Sequence, residues 1–268
     1  MHQPLPAHQT KHLPTLTYPF NGCTFLLAQS SDGISNGTAL WLGAQLLSVY
    51  AASALNARRP GSEGRPKAVE LGSGVGLTAL ALSSLGYDVL ATDTNHVCDS
   101  ILRRNIAENL RHLPVNDAGS VQVRVLDWHV PSDAWNWHNP SRIASRARPS
   151  QTSRVIPDED MLHPPFDLIV SSDTLYDASL IDPFFSTLKA LCLQGRDSTS
   201  SVPQKYPLVL LALERRDPEL ISAALARSPI PLTRVPARKL GKALERAGIQ
   251  WQAADWDGVE IWKGVWRQ

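Results

Sequence analysis

Apolar positions along the chain change period in a regular alternation. Short apolar runs at 67–71, 87–92, 121–126, 166–172 and 207–213 read as strands, whereas 76–85, 96–112 and 180–193 space their apolar residues three or four apart and read as helices. Strands alternating with helices predict an α/β domain built on a parallel sheet with helices on both faces. Ahead of the first strand, "TALWLGAQLLSVYAASALNA" from Thr38 puts Leu40, Ala44, Leu47, Ala51 and Leu55 on one helical face, with Ser35 and Asn36 as candidate caps. The end of the chain reads differently. "LGKALERAG" is a helix with a glycine stop, and "IQWQAAD" and "GVEIWKGVW" are two strands about the short "DWDG" turn, which predicts a C-terminal antiparallel hairpin.

Two stretches lack a period. Residues 1 to about 20 are rich in Pro and His and are expected to stay poorly ordered until they dock, within an N-terminal extension 1–32 that precedes a single domain, 33–268. Residues 131–165 carry prolines, serines and arginines and are expected to form a mobile surface insertion. A sharper reading has Arg142, Arg146, Arg148 and Arg154 touching RNA or an acidic partner.

Composition narrows the classes. The 268 residues carry 26 basic and 25 acidic side chains, a formal charge of +1, so no global field draws the protein to nucleic acid or membrane. No run approaches the ~18–20 apolar residues of a membrane span. The three cysteines, Cys23, Cys98 and Cys192, and the eight histidines have no paired or metal-like spacing. These features lead to the expectation of a soluble intracellular protein without a metal.

The chemistry concentrates at the strand ends. In "VELGSGVGLTALALSSLGYDVLATD" the glycines fall at Gly72, Gly74 and Gly76, with Leu77 where a dinucleotide fingerprint needs its third glycine, and no Gly-Lys-Ser/Thr follows to make a phosphate loop. What remains is a strand-to-helix turn that a ligand can approach closely. Asp93 ends the next strand, 21 residues after Gly72, where an acid accepts hydrogen bonds from ribose hydroxyls. Asp127-Trp128 end the third strand and suit the amino group and face of an adenine. Asp173 and Tyr176 follow the fourth, although an acid there also caps a following helix.

These residues resemble the family 16 methyltransferases. "VELGSGVGLTAL", "VLATD", "LDW" and "SSDTLYD", preceded by "GTALWLGAQLL" and closed by "GVEIWKGVW", are similar to that family's motifs over about 33–268, apart from the insertion. The resemblance implies a Rossmann-like class I fold with a mostly parallel seven-stranded sheet, and S-adenosylmethionine as cofactor. It implies that Gly72, Ser73, Gly74 and Gly76 line the methionine part and that Glu70 supports this loop. Asp93 would hold the ribose, Asp127 and Trp128 the adenine, and Ser172 and Trp41 would contact the cofactor, Trp41 from the first helix. Asp173 and Tyr176 match the family's Asp-x-x-Tyr, implied to be the catalytic pair at the target lysine's pocket.

The implied activity is methyl transfer to a lysine of a non-histone protein such as a translation factor, ribosomal protein or chaperone, in the cytoplasm and also the nucleus, with no membrane or nucleic-acid partner. Another acceptor (a histidine, an N-terminal amine or a small molecule) and a non-catalytic cofactor-binding scaffold stay open. Leu213 stands where the family often has an aromatic, which leaves the acceptor pocket open too.

Overall fold

A computed structural model describes residues 3–30, 36–55, 64–113, 117–146, 160–195 and 205–267. The chain begins with a hairpin of β1 (Thr15–Phe20) and β2 (Cys23–Ala28). Asn21 and Gly22 turn it with positive φ at both positions, 46° and 80°, as a two-residue hairpin turn requires. Alternation then buries Leu16, Tyr18 and Phe20 from one strand and Phe25 and Leu27 from the other. This corrects the expectation of a poorly ordered leader: the hairpin packs into the same apolar cluster as the domain that follows.

Helix α1 (Leu42–Ala54) comes next, then β3 (Lys67–Leu71), α2 (Leu77–Ser84) and β4 (Asp88–Asp93). A continuous helical stretch follows as α3 (Asn95–Val97), a π turn (Cys98–Leu102) and α4 (Arg103–Leu110). The remainder runs β5 (Val121–Leu126), β6 (Arg142–Ala144), β7 (Leu168–Ser172), α5 (Ala178–Leu193), β8 (Leu208–Glu214), α6 (Pro218–Ala226), β9 (Leu232–Arg234), α7 (Ala237–Arg246), α8 (Ala253–Trp256) and β10 (Val259–Val265).

Among the described residues one sheet of eight strands results, in the order β6-β5-β4-β3-β7-β8-β10-β9. Every pair is parallel except those made by β10, which runs antiparallel to β8 and β9. Leu46, Leu47, Leu80, Leu102, Ile106 and Leu244 cover one face, and Phe184, Leu188, Leu191 and Ile221 the other. Because β3 has β4 on one side and β7 on the other, the chain reverses direction there, and the carboxyl ends of β3, β4, β5 and β7 open on one crevice.

Three expectations need correction. The insertion is not simply a loop: Arg142–Ala144 add an edge strand to β5 and bury Ile143 and Ala144, while 147–159, with Arg148 and Arg154, lie outside the described residues. The C-terminal hairpin does not form from "IQWQAAD". Gln252 and Asp255 make a reciprocal capping box there, with the Gln252 N–H donating to Asp255 Oδ2 at 2.7 Å, and the short helix α8 replaces the strand. The first helix starts at Leu42, so Asn36 is in a separate 3-10 turn and Ser35 is outside the described residues.

The hairpin docks on α4 in an unusual way. Asn105 and Asn109, one helical turn apart, each bind both backbone groups of one strand residue: Asn105 accepts from the Ala28 N–H and donates to its carbonyl, both at 3.0 Å, and Asn109 does the same for Leu26 at 2.7 and 2.8 Å. Asn105 Nδ2 also donates to the Val75 carbonyl, 2.9 Å away in the glycine turn. The amides satisfy strand groups that β1 leaves unpaired, as buried backbone demands.

Candidate functional site

The glycine turn between β3 and α2 has positive φ at Gly72, Gly74 and Gly76, 73°, 54° and 90°. Space is as restrictive as conformation at Gly72, where a Cβ would meet Thr174 Cγ2 at 2.5 Å and the Trp128 ring at 3.5 Å. Thr92, in β4, accepts from the Gly72 and Ser73 N–H groups at 3.0 and 2.9 Å, and its own N–H donates to Ser73 Oγ. The turn is thereby fixed to the neighbouring strand.

The turn floors a solvent-open cleft of ≈ 940 Å³. Trp41, Gly72, Ser73, Gly74, Asp93, Asp127, Trp128, Ser172, Asp173 and Tyr176 all line it. Glu70 and Gly76 do not. Gly76 immediately precedes α2 and faces Leu102 and Ile106, and Glu70 is buried beneath the turn. Burial pushes the Glu70 carboxyl up to about 8, against hydrogen bonds from Ser73 and Thr78, and the Asp93 charge adds to the rise. Its Oε2 has no hydrogen-bond partner among the described residues.

Asp93 joins β4 to the turn. Oδ2 accepts from the Gly74 N–H at 2.9 Å and Oδ1 from the Thr94 N–H at 2.7 Å. Burial raises its pKa, and these bonds oppose the rise. Asp127 is held by Arg146 Nε at 2.6 Å and by the His129 N–H at 3.1 Å. Burial would raise its pKa, but Arg146 and His129 outweigh that and lower it. His129 and Arg146 also line the cleft, a place expected of neither from the sequence, in which Arg146 reads only as a contact to RNA or an acidic partner. Arg146 comes from the insertion, whose irregular pattern gives no sign of where it returns. Trp128 packs edge-on against Phe184, 5.2 Å between centroids, and its buried Nε1 has no partner among the described residues.

Trp41 sits in extended backbone just before α1 rather than on the helix, and its Nε1 donates to the Asn36 carbonyl at 2.7 Å. Asp173 is not a helix cap for α5, a role taken by Asp177, which accepts from the Ser179 N–H at 2.8 Å. Its carboxylate is instead clamped between the Gly43 N–H, 2.7 Å, and the Glu214 N–H, 3.1 Å. A positive φ of 53° turns it inward. Burial and then the Glu214 charge push its pKa up to about 6, while the two amides and Arg216 oppose them.

A second cavity of ≈ 580 Å³ adjoins the first through Asn36, Trp41, Asp173 and Tyr176. Leu213, Glu214, Arg216, Asp217 and Leu220 are among its other walls. Tyr176, 56% exposed, stands at the rim shared by both.

A glycine turn at the switch point, an acid ending β4, an aromatic after β5 and an orphaned indole N–H fit a nucleoside joined to an amino acid. The strand order and this cleft define a Rossmann-like fold with a ligand crevice at its switch point. Residues 23–140 match the lysine methyltransferase family model. The chain is 26% identical over 166 residues to mouse methyltransferase-like protein 22, covering 62% of this chain and 38% of that protein. It is also 26% identical to the human protein over 172 residues, covering 62% and 37%. The chain thus spans under two fifths of the length of these curated relatives. Among solved structures, a putative S-adenosylmethionine-dependent methyltransferase from Streptococcus mutans aligns with a TM-score of 0.44 at 11% identity, over 94% of this chain and 56% of that one. A Pyrococcus abyssi tRNA (uracil-54, C5)-methyltransferase in complex with S-adenosyl-L-homocysteine aligns at 0.45 and 13%, over 94% and 44%.

Proposed function

We propose that this chain methylates a lysine side chain of a non-histone protein, with a translation factor, ribosomal protein or chaperone as the class of substrate, in the cytoplasm and also the nucleus. The observation that carries the proposal is the second cavity, walled by Glu214 and Arg216 among others, which meets the cofactor cleft at a junction of Asn36, Trp41, Asp173 and Tyr176. Such a channel suits a long apolar stem with a cationic head. The family match over 23–140 supports the same acceptor.

When bound, S-adenosylmethionine supplies an electrophilic methyl group. Gly72, Ser73 and Gly74 would hold its amino-acid part, Asp93 the ribose, and Trp128 with Asp127 the adenine. The protein's remaining task is alignment and desolvation of the amine. An ordinary lysine, at pKa ~10.4, must lose a proton at a cost of about 4 to 5 kcal/mol at pH 7. Asp173 is a poor base for that step, since each carboxylate oxygen already accepts a backbone N–H. It attracts the incoming ammonium and fixes the channel wall, while Tyr176 closes the rim and the proton leaves to solvent.

The test is incubation of the full chain and radiolabelled S-adenosylmethionine with a lysate lacking it, followed by mass spectrometry of any labelled band. A discrete protein methylated at lysine, and no label with Asp93→Ala, is expected. Cofactor binding without transfer to any protein would overturn the acceptor and leave a scaffold.

A further inference from the structure

Residues 3–13 take no part in the function described so far, yet they are tied down along their length. The Gln250 N–H donates to Gln3 Oε1 at 2.6 Å and Trp251 Nε1 to the Pro4 carbonyl at 2.8 Å. Gln45 accepts from the Ala7 N–H at 2.7 Å and donates to the Leu5 carbonyl at 2.8 Å. Gln29 Nε2 then donates to the carbonyls of Thr10 and Leu13, at 2.9 and 2.8 Å. These last two carbonyls bracket Lys11 and fix the backbone on both sides of it.

Lys11 Nζ lies 3.2 Å from the centroid of the Trp41 ring, and that ring lines both the cofactor cleft and the adjoining channel. The Arg216 guanidinium carbon lies 4.2 Å from the same centroid. Asp173 and Glu214 attract the Lys11 ammonium, and Arg216 repels it. Burial first and Arg216 second lower the Lys11 pKa despite the two carboxylates. A methyl acceptor needs a fixed position, partial desolvation and an accessible lone pair. Lys11 has the first two, its Nζ resting on the ring that walls both cavities, and release of its proton supplies the third.

We infer that Lys11 is itself a methyl acceptor, modified in cis by the chain that carries it. The inference rests on the methyltransferase reading above. After releasing a proton to solvent, Lys11 Nζ forms a bond to the donor's methyl carbon as that carbon's bond to sulfur breaks. The amine becomes an N-methylammonium and the sulfonium a neutral thioether, so the positive charge moves from sulfur to nitrogen.

The full chain is incubated with trideuteromethyl-labelled S-adenosylmethionine across a dilution series, and the peptide containing Lys11 is analysed by mass spectrometry, both as purified and after reaction. Methylation of Lys11 with a rate constant independent of protein concentration is expected, and Lys11→Arg loses it while still binding S-adenosylhomocysteine. NMR of isotope-labelled lysines gives a readout without turnover. The Lys11 resonance, assigned through the same variant, should titrate below an ordinary exposed lysine and shift on saturation with S-adenosylhomocysteine.

Transfer to a lysate protein while Lys11 stays unmodified would overturn the inference and leave the methyltransferase reading standing, with Lys11 a cover over the channel. A rate proportional to protein concentration would overturn modification in cis, as would a Lys11 resonance indifferent to S-adenosylhomocysteine. Failure to bind S-adenosylhomocysteine, together with no transfer to any acceptor, would overturn both.

Discussion

The Asp173 carboxylate caps a helix whose second residue, Gly43, lies 130 residues earlier in the chain, accepting its N–H at 2.7 Å. Trp41 precedes α1 and offers no side-chain cap of its own, and the first turn of a helix leaves N–H groups unpaired. The cap therefore arrives from β7's end, and in supplying it Asp173 brings α1 and Trp41 up against the cleft. A Cβ on Gly43 would lie within 2.7 Å of Asp173 Cγ. Gly43→Ala and Asp173→Asn should each cost about 1–3 kcal/mol, read as a fall in melting temperature of ~2–4 °C per kcal/mol. Both should also weaken S-adenosylhomocysteine binding in calorimetry, because Trp41 loses its position. An Asp173→Asn protein with unchanged melting temperature and affinity would show that the clamp is idle.

Asp93 joins the glycine turn to β4 through the Gly74 N–H. Asp93→Ala should lower S-adenosylhomocysteine affinity by roughly 10–150-fold, the equivalent of a charged hydrogen bond worth ~1.5–3 kcal/mol. Titration calorimetry measures it, and circular dichroism checks that the fold persists.

Glu70 gives stability a pH dependence of known sign. Its carboxyl titrates at about 8 in the folded chain against an ordinary 4.5, so between these values the folded chain holds a proton that the unfolded chain has released. The contribution is fully present below the lower value and is lost as pH rises toward the upper one, at up to about 1.4 kcal/mol per pH unit. Denaturant unfolding of wild type and Glu70→Gln from pH 5 to 8 should show the variant gaining steadily relative to wild type. A pH-independent difference would mean that Glu70 is charged throughout.

Asn105→Ala removes bonds to both backbone groups of Ala28 and to the Val75 carbonyl together. Stranding several buried groups at ~1–3 kcal/mol each is severe. Loss of cooperative unfolding, or a melting temperature lower by more than ~10 °C, is expected in a thermal scan. Asn105→Asp restores only the acceptor and should fall between the two.

The parallel strands and their helices were legible in the apolar periods because each strand of the inner sheet is a short run buried on both faces. The cleft residues on strand ends were legible for the same reason, since a switch-point crevice collects whatever ends β3, β4, β5 and β7. What failed was governed by long-range partners. Glu70 is close to the turn in sequence, yet its side chain points beneath it. The β1–β2 hairpin has an Asn-Gly turn and alternating burial, but the prolines and histidines around it mask that local signal. Arg146, Lys11 and β6 owe their positions to tertiary contacts that no local pattern encodes, and "IQWQAAD" carries a strand-like pattern that the Gln252–Asp255 cap overrides.

On α4, two amides imitate a β-strand for the hairpin beside them. Four residues of α-helix rise about 6 Å and two residues of strand about 6.7 Å, so Asn105 and Asn109 are commensurate with Ala28 and Leu26 for this one repeat. The π turn at Cys98–Leu102 accommodates an extra residue just upstream and so sets the angular phase at which the two amides emerge. Removing that residue would rotate the pair by about a quarter turn and leave the hairpin facing the wrong side of the helix. The register of a β-ribbon is here written into the pitch of an α-helix.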